Sequence, residues 1–297
     1  MKNKKGSVLV ASVFLISILS ITAASLGFEA SQHTLMMKRE LQGLEDKMQF
    51  QTALSQVKEA ILSDPFPHED SLQDKWYIKQ KGSDPSGLKV KGVRPPLVLE
   101  VEDEESKINL NFASEKLLKS FFEIFESQVE PLVNADKKAW IKRLMEAREK
   151  GIGSLDELYL WNEIPVMELA KILPYITVAP TTGQINLNTA SPLVLEAYLK
   201  SISGDEFAKA DLLKKILEDR QRQSSIQSKE LTPRDFTKRL DLDETPQILS
   251  LVQLFLNGVT TDSAHYRIKI KTNHKTAEAV IKEIENFKFE VLSWHEE

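Results

Sequence analysis

The chain has no cysteine, so neither disulfides nor thiolate metal ligands can be built from its 297 residues. That absence suits cytoplasm and periplasm alike and assigns no compartment. An excess of basic charge is missing too. The net charge is −5, and a cut after Gly6 would remove three of the 39 basic residues, leaving 36 against 44 acidic ones. Duplex binding draws on Lys and Arg that displace counterions, so nucleic acid is disfavoured as a partner. Catalytic signatures are also lacking: there is no Gly-x-Ser-x-Gly and no phosphate loop. The five histidines, His33, His68, His265, His274 and His295, show no His-x-x-x-His spacing. They read as scattered surface residues, the chain reads as a non-enzyme, and no cofactor is called for.

What is present is an ordinary folded composition, 41% hydrophobic and 28% charged, with room for one helical anchor and about two domain-sized units. From Ser7 to Phe28 the sequence is uncharged and rich in Val, Leu, Ile, Phe and Ala. At about 1.5 Å per residue this run spans a hydrocarbon core of about 30 Å, with Lys2, Lys4 and Lys5 holding its start on the cytoplasmic side. A signal peptide cut near Ala23-Ala24-Ser25, a plain anchor and a prepilin-type leader all begin this way. Continuity separates them. From Glu29 to about Ser63 there is no proline, and Leu35, Met36, Leu41, Leu44, Met48, Leu54, Val57 and Ile61 keep helical spacing, so one helix runs out of the membrane. It stops at Asp64-Pro65-Phe66-Pro67.

Beyond it, Trp76-Tyr77-Ile78 and Leu97 to Val101 read as strands between glycine and proline turns. Near the C-terminus Tyr266, Ile268 and Ile270, then Phe287, Phe289 and Val291, alternate with polar neighbours, and a third strand across Thr276 to Ile284 would complete a meander. The middle, about Asn109 to Gly258, is helical in pattern and repeats itself. Lys107-Ile-Asn-Leu-Asn-Phe-Ala-Ser114 returns 77 residues later as Gln184-Ile-Asn-Leu-Asn-Thr-Ala-Ser191. Each copy is a helix entrance: Ser114 and Ser191 suit the N-cap, Glu115 and Pro192 suit the first turn, and the asparagines can bond nearby backbone. The openings resemble helix-hairpin-helix modules, which bind DNA phosphates through hairpin amides. However, the second copy has Ser201-Ile-Ser-Gly-Asp-Glu206 where the glycine hairpin belongs. In the first, Gly151-Ile152-Gly153 comes after a later helix and reads as a turn closing it.

Lys5-Gly6 before Ser7-Val-Leu-Val10 resembles the type IV prepilin signature, where a prepilin peptidase cuts after glycine and methylates the new N-terminus. Major pilins carry glutamate five residues after such a cut; here that place is Ala11. A buried carboxylate needs a partner in lipid, so a subunit without one fits a filament tip. With Glu102-Asp-Glu-Glu105, the doubled blocks Ile108-Asn109-Leu110-Asn111 and Ile185-Asn186-Leu187-Asn188, and Val291-Leu-Ser-Trp294, nearly the whole chain resembles the K-type minor pseudopilin of the type II (general) secretion pathway.

The resemblance implies an α+β fold, a long N-terminal helix packed on an antiparallel sheet with a large all-helical insertion. The parts are a leader over 1–6, a transmembrane half-helix over 7–28 and an amphipathic half over 29–63. A pilin-like domain would take 64–107 and 259–297, and a two-repeat insertion 108–258. It implies a single-pass inner-membrane protein with a periplasmic domain, partnered by other minor pseudopilins, the major pseudopilin, the peptidase and the inner-membrane assembly platform. Calcium occurs in such proteins, and Glu102 to Glu105 is the run to test for it. Consecutive acids lack the spaced loop that encloses a hard cation, so a solvated turn is the expectation there. The rival reading is a membrane-anchored helix-hairpin-helix protein for DNA binding or uptake.

Overall fold

The computed structural model describes residues 4–64, 74, 76, 98–222, 226–227, 230–272, 275–284 and 288–296. By its internal contacts the chain forms two units, Met1–Thr52 and Ala53–Glu297.

The first unit is helix throughout its described length, part of α1, Lys4–Leu62. Its N-terminal stretch, with a mean hydropathy of 2.3, is long and apolar enough to cross a membrane. Two hydroxyls in that stretch bond to their own helix: Ser17 donates to the carbonyl of Val13 and Thr22 to that of Ile18, each at 2.9 Å. In a solvent that offers no hydrogen bonds, this is how a serine or threonine can be carried. Gly6, Ser7 and Ala11 fall within this helix. Leu35, Met36, Leu41, Leu44 and Met48 are exposed, whereas Ala53, Val57 and Ile61, four residues apart on one face, are buried. The helix ends where Ser63 donates its amide to Glu59, one residue before Asp64 and the proline that forbids continuation.

The second unit contains the last turns of α1, a sheet, and a helical insertion. In chain order come β1 (Val98–Asp103), β2 (Ile108–Asn109), α2 (Glu115–Gln128), α3 (Lys137–Ala147), a 3-10 turn over Leu155–Leu160, α4 (Val166–Ile172) and β3 (Ile176–Thr177). Then follow β4 (Ile185–Asn186), α5 (Pro192–Ser201), α6 (Glu206–Gln221), α7 (Pro233–Arg239), α8 (Pro246–Leu256) and β5 (Val259–Thr260). The chain closes with β6 (His265–Lys271), β7 (Thr276–Ile284) and β8 (Lys288–Glu296).

The four-stranded sheet runs β1-β6-β7-β8, antiparallel at every step. Neighbouring strands β1 and β6 are therefore separated in sequence by the whole insertion. Tyr266, Ile268 and Ile270 point inward as their alternation predicts, and β7 supplies the strand that completes the meander. Along β8 the period-two expectation is broken by a bulge opposite Val280 and Ile281, which leaves Val291 and Leu292 both exposed. Trp76 is corrected from strand to turn. It is buried, donates Nε1 to Asp64 at 3.0 Å and meets Tyr266 edge-on at 5.0 Å. Tyr77, Ile78, Leu97, Phe287, His68 and His274 lie outside the described residues.

The insertion is two modules of one plan. In each, a two-residue strand enters, helices follow, and a two-residue strand leaves in parallel beside the first: β2 with β3, and β4 with β5. Helices α2 and α5 pack the modules together over one shared apolar core. The expected α+β fold, with long helix, antiparallel sheet and helical insertion, is the one observed.

Candidate functional site: a buried ionic joint

The Ile-Asn-Leu-Asn blocks are latches. Asn109 accepts the amide of Asn111 on Oδ1 at 3.0 Å and donates Nδ2 to the carbonyls of Pro180 and Thr182, just past the exit strand β3. Asn186 does the same one module later, accepting from Asn188 at 2.9 Å and donating to Ser263 at 2.7 Å, just past β5. The second asparagine of each block clasps a distant isoleucine. Asn111 donates to and accepts from the backbone of Ile152, and Asn188 makes both bonds to Ile226. Arg148 and Arg220 cap the carbonyls of Ala113 and Ala190. Ile108, Leu110, Ile185 and Leu187 are buried between these bonds, and Ser114 and Ser191 cap α2 and α5 as expected. Local bonding by the asparagines was legible; the reach across 38 to 77 residues was not.

The acidic run is where the insertion leaves the sheet, and here the expectation of a solvated turn is overturned. Asp103 and Glu104 are wholly buried and Glu105 is 5% exposed. Each acid holds a different part of the chain. Glu104 receives a two-pronged Arg267 from β6, Nε to Oε1 at 2.7 Å and Nη2 to Oε2 at 3.1 Å, together with Lys107 at 2.7 Å and the hydroxyl of Thr177 in β3. Asp103 takes the hydroxyl of Thr189, in the second module, and the amide of Glu105 at 2.7 Å. Glu105 accepts from the amides of Ala264 and His265 and lies 2.7 Å from Nδ1 of His265. One turn of three residues thus ties sheet, first module and second module together.

Charge is arranged to match. Burial alone would raise Glu104, but Lys107 and Arg267 outweigh it and hold the carboxylate well below its usual range. Burial, and then the neighbouring Glu105, push Asp103 well above its own, against the bonds from Ser263 and Thr189. Burial pushes Glu105 up to about 7, and burial with Lys282 brings His265 down to about 4. His265 is 2% exposed and is corrected from surface residue to member of the joint; His33 and His295 are exposed as expected.

Two chemical readings can be tested on this geometry. Among the described residues no group of three or more His, Cys, Asp or Glu converges on a metal position, and the oxygens of Asp103, Glu104 and Glu105 are taken by protein donors. In the first module the amides that a phosphate would need are also taken. Ile152 donates to Asn111, Gly153 and Ser154 donate to Glu157, and Gly151 donates to Arg148. Gly151, at φ +78, is the turn that ends the third helix.

A long N-terminal helix, an antiparallel meander, and a helical insertion between adjacent strands define a pilin-like α+β fold. No protein-family model matches the chain, and no curated protein matches it significantly. Among solved structures it is similar to one chain of the GspK-GspI-GspJ complex from the type 2 secretion system of enterotoxigenic Escherichia coli. The TM-score is 0.57 at 16% identity, over 89% of this chain and 99% of that one. At that identity the likeness is one of fold.

Proposed function

We propose that the chain is a minor pseudopilin of a type II secretion system, of the bulky K type, acting at the tip of a periplasmic pseudopilus that drives export of folded proteins. The observation that carries this reading is the placement of a two-module insertion between adjacent strands of a small sheet that follows a long apolar helix. Its match to a chain from a complex of such subunits supports it. A head of this size crowds a repeating shaft, whereas a terminal subunit has no neighbour above it. Lacking a carboxylate at Ala11 removes one reason to be inserted within the shaft. The role is structural: buried polar groups of the joint are consumed in holding the fold, and the chain acts by assembly and not by catalysis. Its partners on this reading are other minor pseudopilins, the major pseudopilin, the prepilin peptidase and the inner-membrane platform. The occupied amides at Gly151 to Ser154 argue against the DNA-binding alternative.

Processing gives the direct test. Mass spectrometry of the mature protein is expected to find an N-terminus at methylated Ser7, and Gly6→Ala is expected to block both maturation and export. A mature chain starting at Met1 or Lys2 would indicate a plain anchor, and one starting near Ser25 a secreted protein; either overturns the proposal.

A further inference from the structure

A cleft of about 510 Å³ lies along α6, between that helix and the packed pair α2 and α5. Its floor is apolar, with Ile124 from α2, Leu199 from α5, and Leu213 and Leu217 from α6. Lys209 is part of its wall, and the lysine side chain is only 6% exposed. Its single bonded partner among the described residues is Glu206, at 2.9 Å, and that carboxylate is 77% exposed. A buried ammonium has three N–H groups to satisfy and is seldom found without an acid buried beside it.

The first module shows what the second lacks. Counting back equally far from the arginines that cap Ala113 and Ala190, Lys209 holds the place of Lys137. Lys137 bonds across the turn between α2 and α3 to Glu126, which also accepts the amide of Leu132 at 3.2 Å. At the offset of the repeat, Ser203 stands where Glu126 does, so the turn between α5 and α6 offers no charge there. Gly204 passes the lysine so closely that a Cβ on it would lie 3.5 Å from Lys209 Cε. The cation is kept and the acid across the turn is gone. We propose that the cleft is a docking groove for an acidic, apolar peptide segment of a partner protein, whose Asp or Glu side chain does at Lys209 what Glu126 does at Lys137.

The dimensions suit a peptide better than a small carboxylate. The α6 residues lining the cleft run from Glu206 to Gln221, about 22 Å and about four turns at 1.5 Å per residue. Apolar side chains of a docked segment would cover the floor, as in other helix-in-groove contacts. The remaining charges at the rim are engaged: Lys200 faces Glu123 at 2.8 Å, Glu196 bonds Gln128, and Lys214 faces Glu218 at 3.8 Å. Glu206, the first residue of α6, can turn into water and leave Lys209 to the incoming acid.

Panning a randomised library of peptides of about twelve residues, long enough to fill the groove as a helix, on the full chain in lipid nanodiscs tests this. Enriched sequences are expected to join an Asp or Glu to Leu, Ile or Phe neighbours. The best of them, labelled and followed by fluorescence anisotropy, should bind about ten-fold more weakly to Lys209→Met, which deletes a charge-assisted bond. Ala210→Glu, which places a like charge in the exposed wall, should weaken it by about as much. Glu206→Gln removes the resident competitor and should tighten binding about three-fold, a gain that a purely structural Lys209–Glu206 pair would not give. Enrichment of basic peptides, of apolar peptides without an acid, or of none sensitive to Ala210→Glu would overturn the proposal. So would equal affinity for wild type and Lys209→Met, or binding to Glu206→Gln no tighter than to wild type. Ala210 and Glu206 are exposed, so their variants decide should Lys209→Met not fold.

Discussion

In the first module Phe121 of α2 lies beside Tyr175, ring centroids 6.2 Å apart, and Tyr175 also meets Phe125 edge-on. At the matching places the second module has Tyr198 and Gly258. The tyrosine hydroxyl crosses over to the carbonyls of Leu254 and Phe255 and passes so close to Gly258 that a Cβ there would sit 2.1 Å from it. The same volume is filled from opposite sides, by the exit strand's neighbour in one module and by the entrance helix in the other. Meanwhile the latches stay alike, two asparagines, one arginine and one serine cap in each. Bonds that close the module are thus kept while its filling is free to vary. This is the pattern expected when total volume matters more than which side chain supplies it.

The modules differ most in how they meet the acidic turn. Thr177 at the first exit bonds Glu104, whereas Thr260 at the second turns back on its own chain at Asp262. Glu104→Ala is the substitution expected to cost most, about 3–5 kcal/mol, because it strands Lys107 and Arg267 without their common anion. Urea unfolding checks the size. If the midpoint shifts no more than for an exposed ion pair such as Lys119 with Glu115, the joint is not what holds the first module.

The tie between the acidic turn and β6 depends on groups that titrate, and its sign can be worked out. His265 is lowered to about 4 in the fold, so the unfolded chain binds its proton more tightly, and stability rises from about pH 4 to about 6.5. Glu105 is raised to about 7, so its contribution falls from about pH 4.5 to about 7. Over most of that window the two oppose one another. His265→Gln keeps a donor toward Glu105 and deletes the rising limb. Wild type should therefore gain about 3 kcal/mol on the variant between pH 4 and 6.5. Parallel pH profiles of the two would show that the ring is not the buried neutral donor described.

The swapped filling predicts a third effect. Gly258→Ala should cost about 2–3 kcal/mol, through a clash that only movement of Tyr198 can relieve, and Tyr198→Leu should recover part of it in the double variant. Additive effects would mean that Tyr198 is not the obstacle.

Much of this was legible because local chemistry and global placement agreed. Ser114, Ser191 and Pro192 announce helix starts by themselves, and the doubled Ile-Asn-Leu-Asn block announces a repeat. The parallel pairs β2–β3 and β4–β5 were not legible, since two residues carry no period. Nor was the burial of Asp103 to Glu105. A run of acids is ordinarily a solvated face, and the decisive cation, Arg267, lies 163 residues away from Glu104. His265 sits on the polar phase of the β6 alternation, which by itself points it to solvent. The turn that covers it comes from 160 residues upstream.

The smallest difference between the modules is the most demanding test of their likeness. Asn111 and Asn188 each make the same two backbone bonds, but Asn188 is 3% exposed and its bonds to Ile226 are buried, whereas those of Asn111 to Ile152 are partly open to water. Replacing either with alanine orphans one N–H and one carbonyl. Where water reaches them the loss is softened, and where it does not the full desolvation cost remains. Asn188→Ala should therefore cost about 2 kcal/mol and Asn111→Ala about 1 kcal/mol, by urea midpoints at constant slope. Equal losses would mean that solvent access does not distinguish the latches. A larger loss at Asn111 would mean that the first module, and not the second, is the one the insertion is built upon.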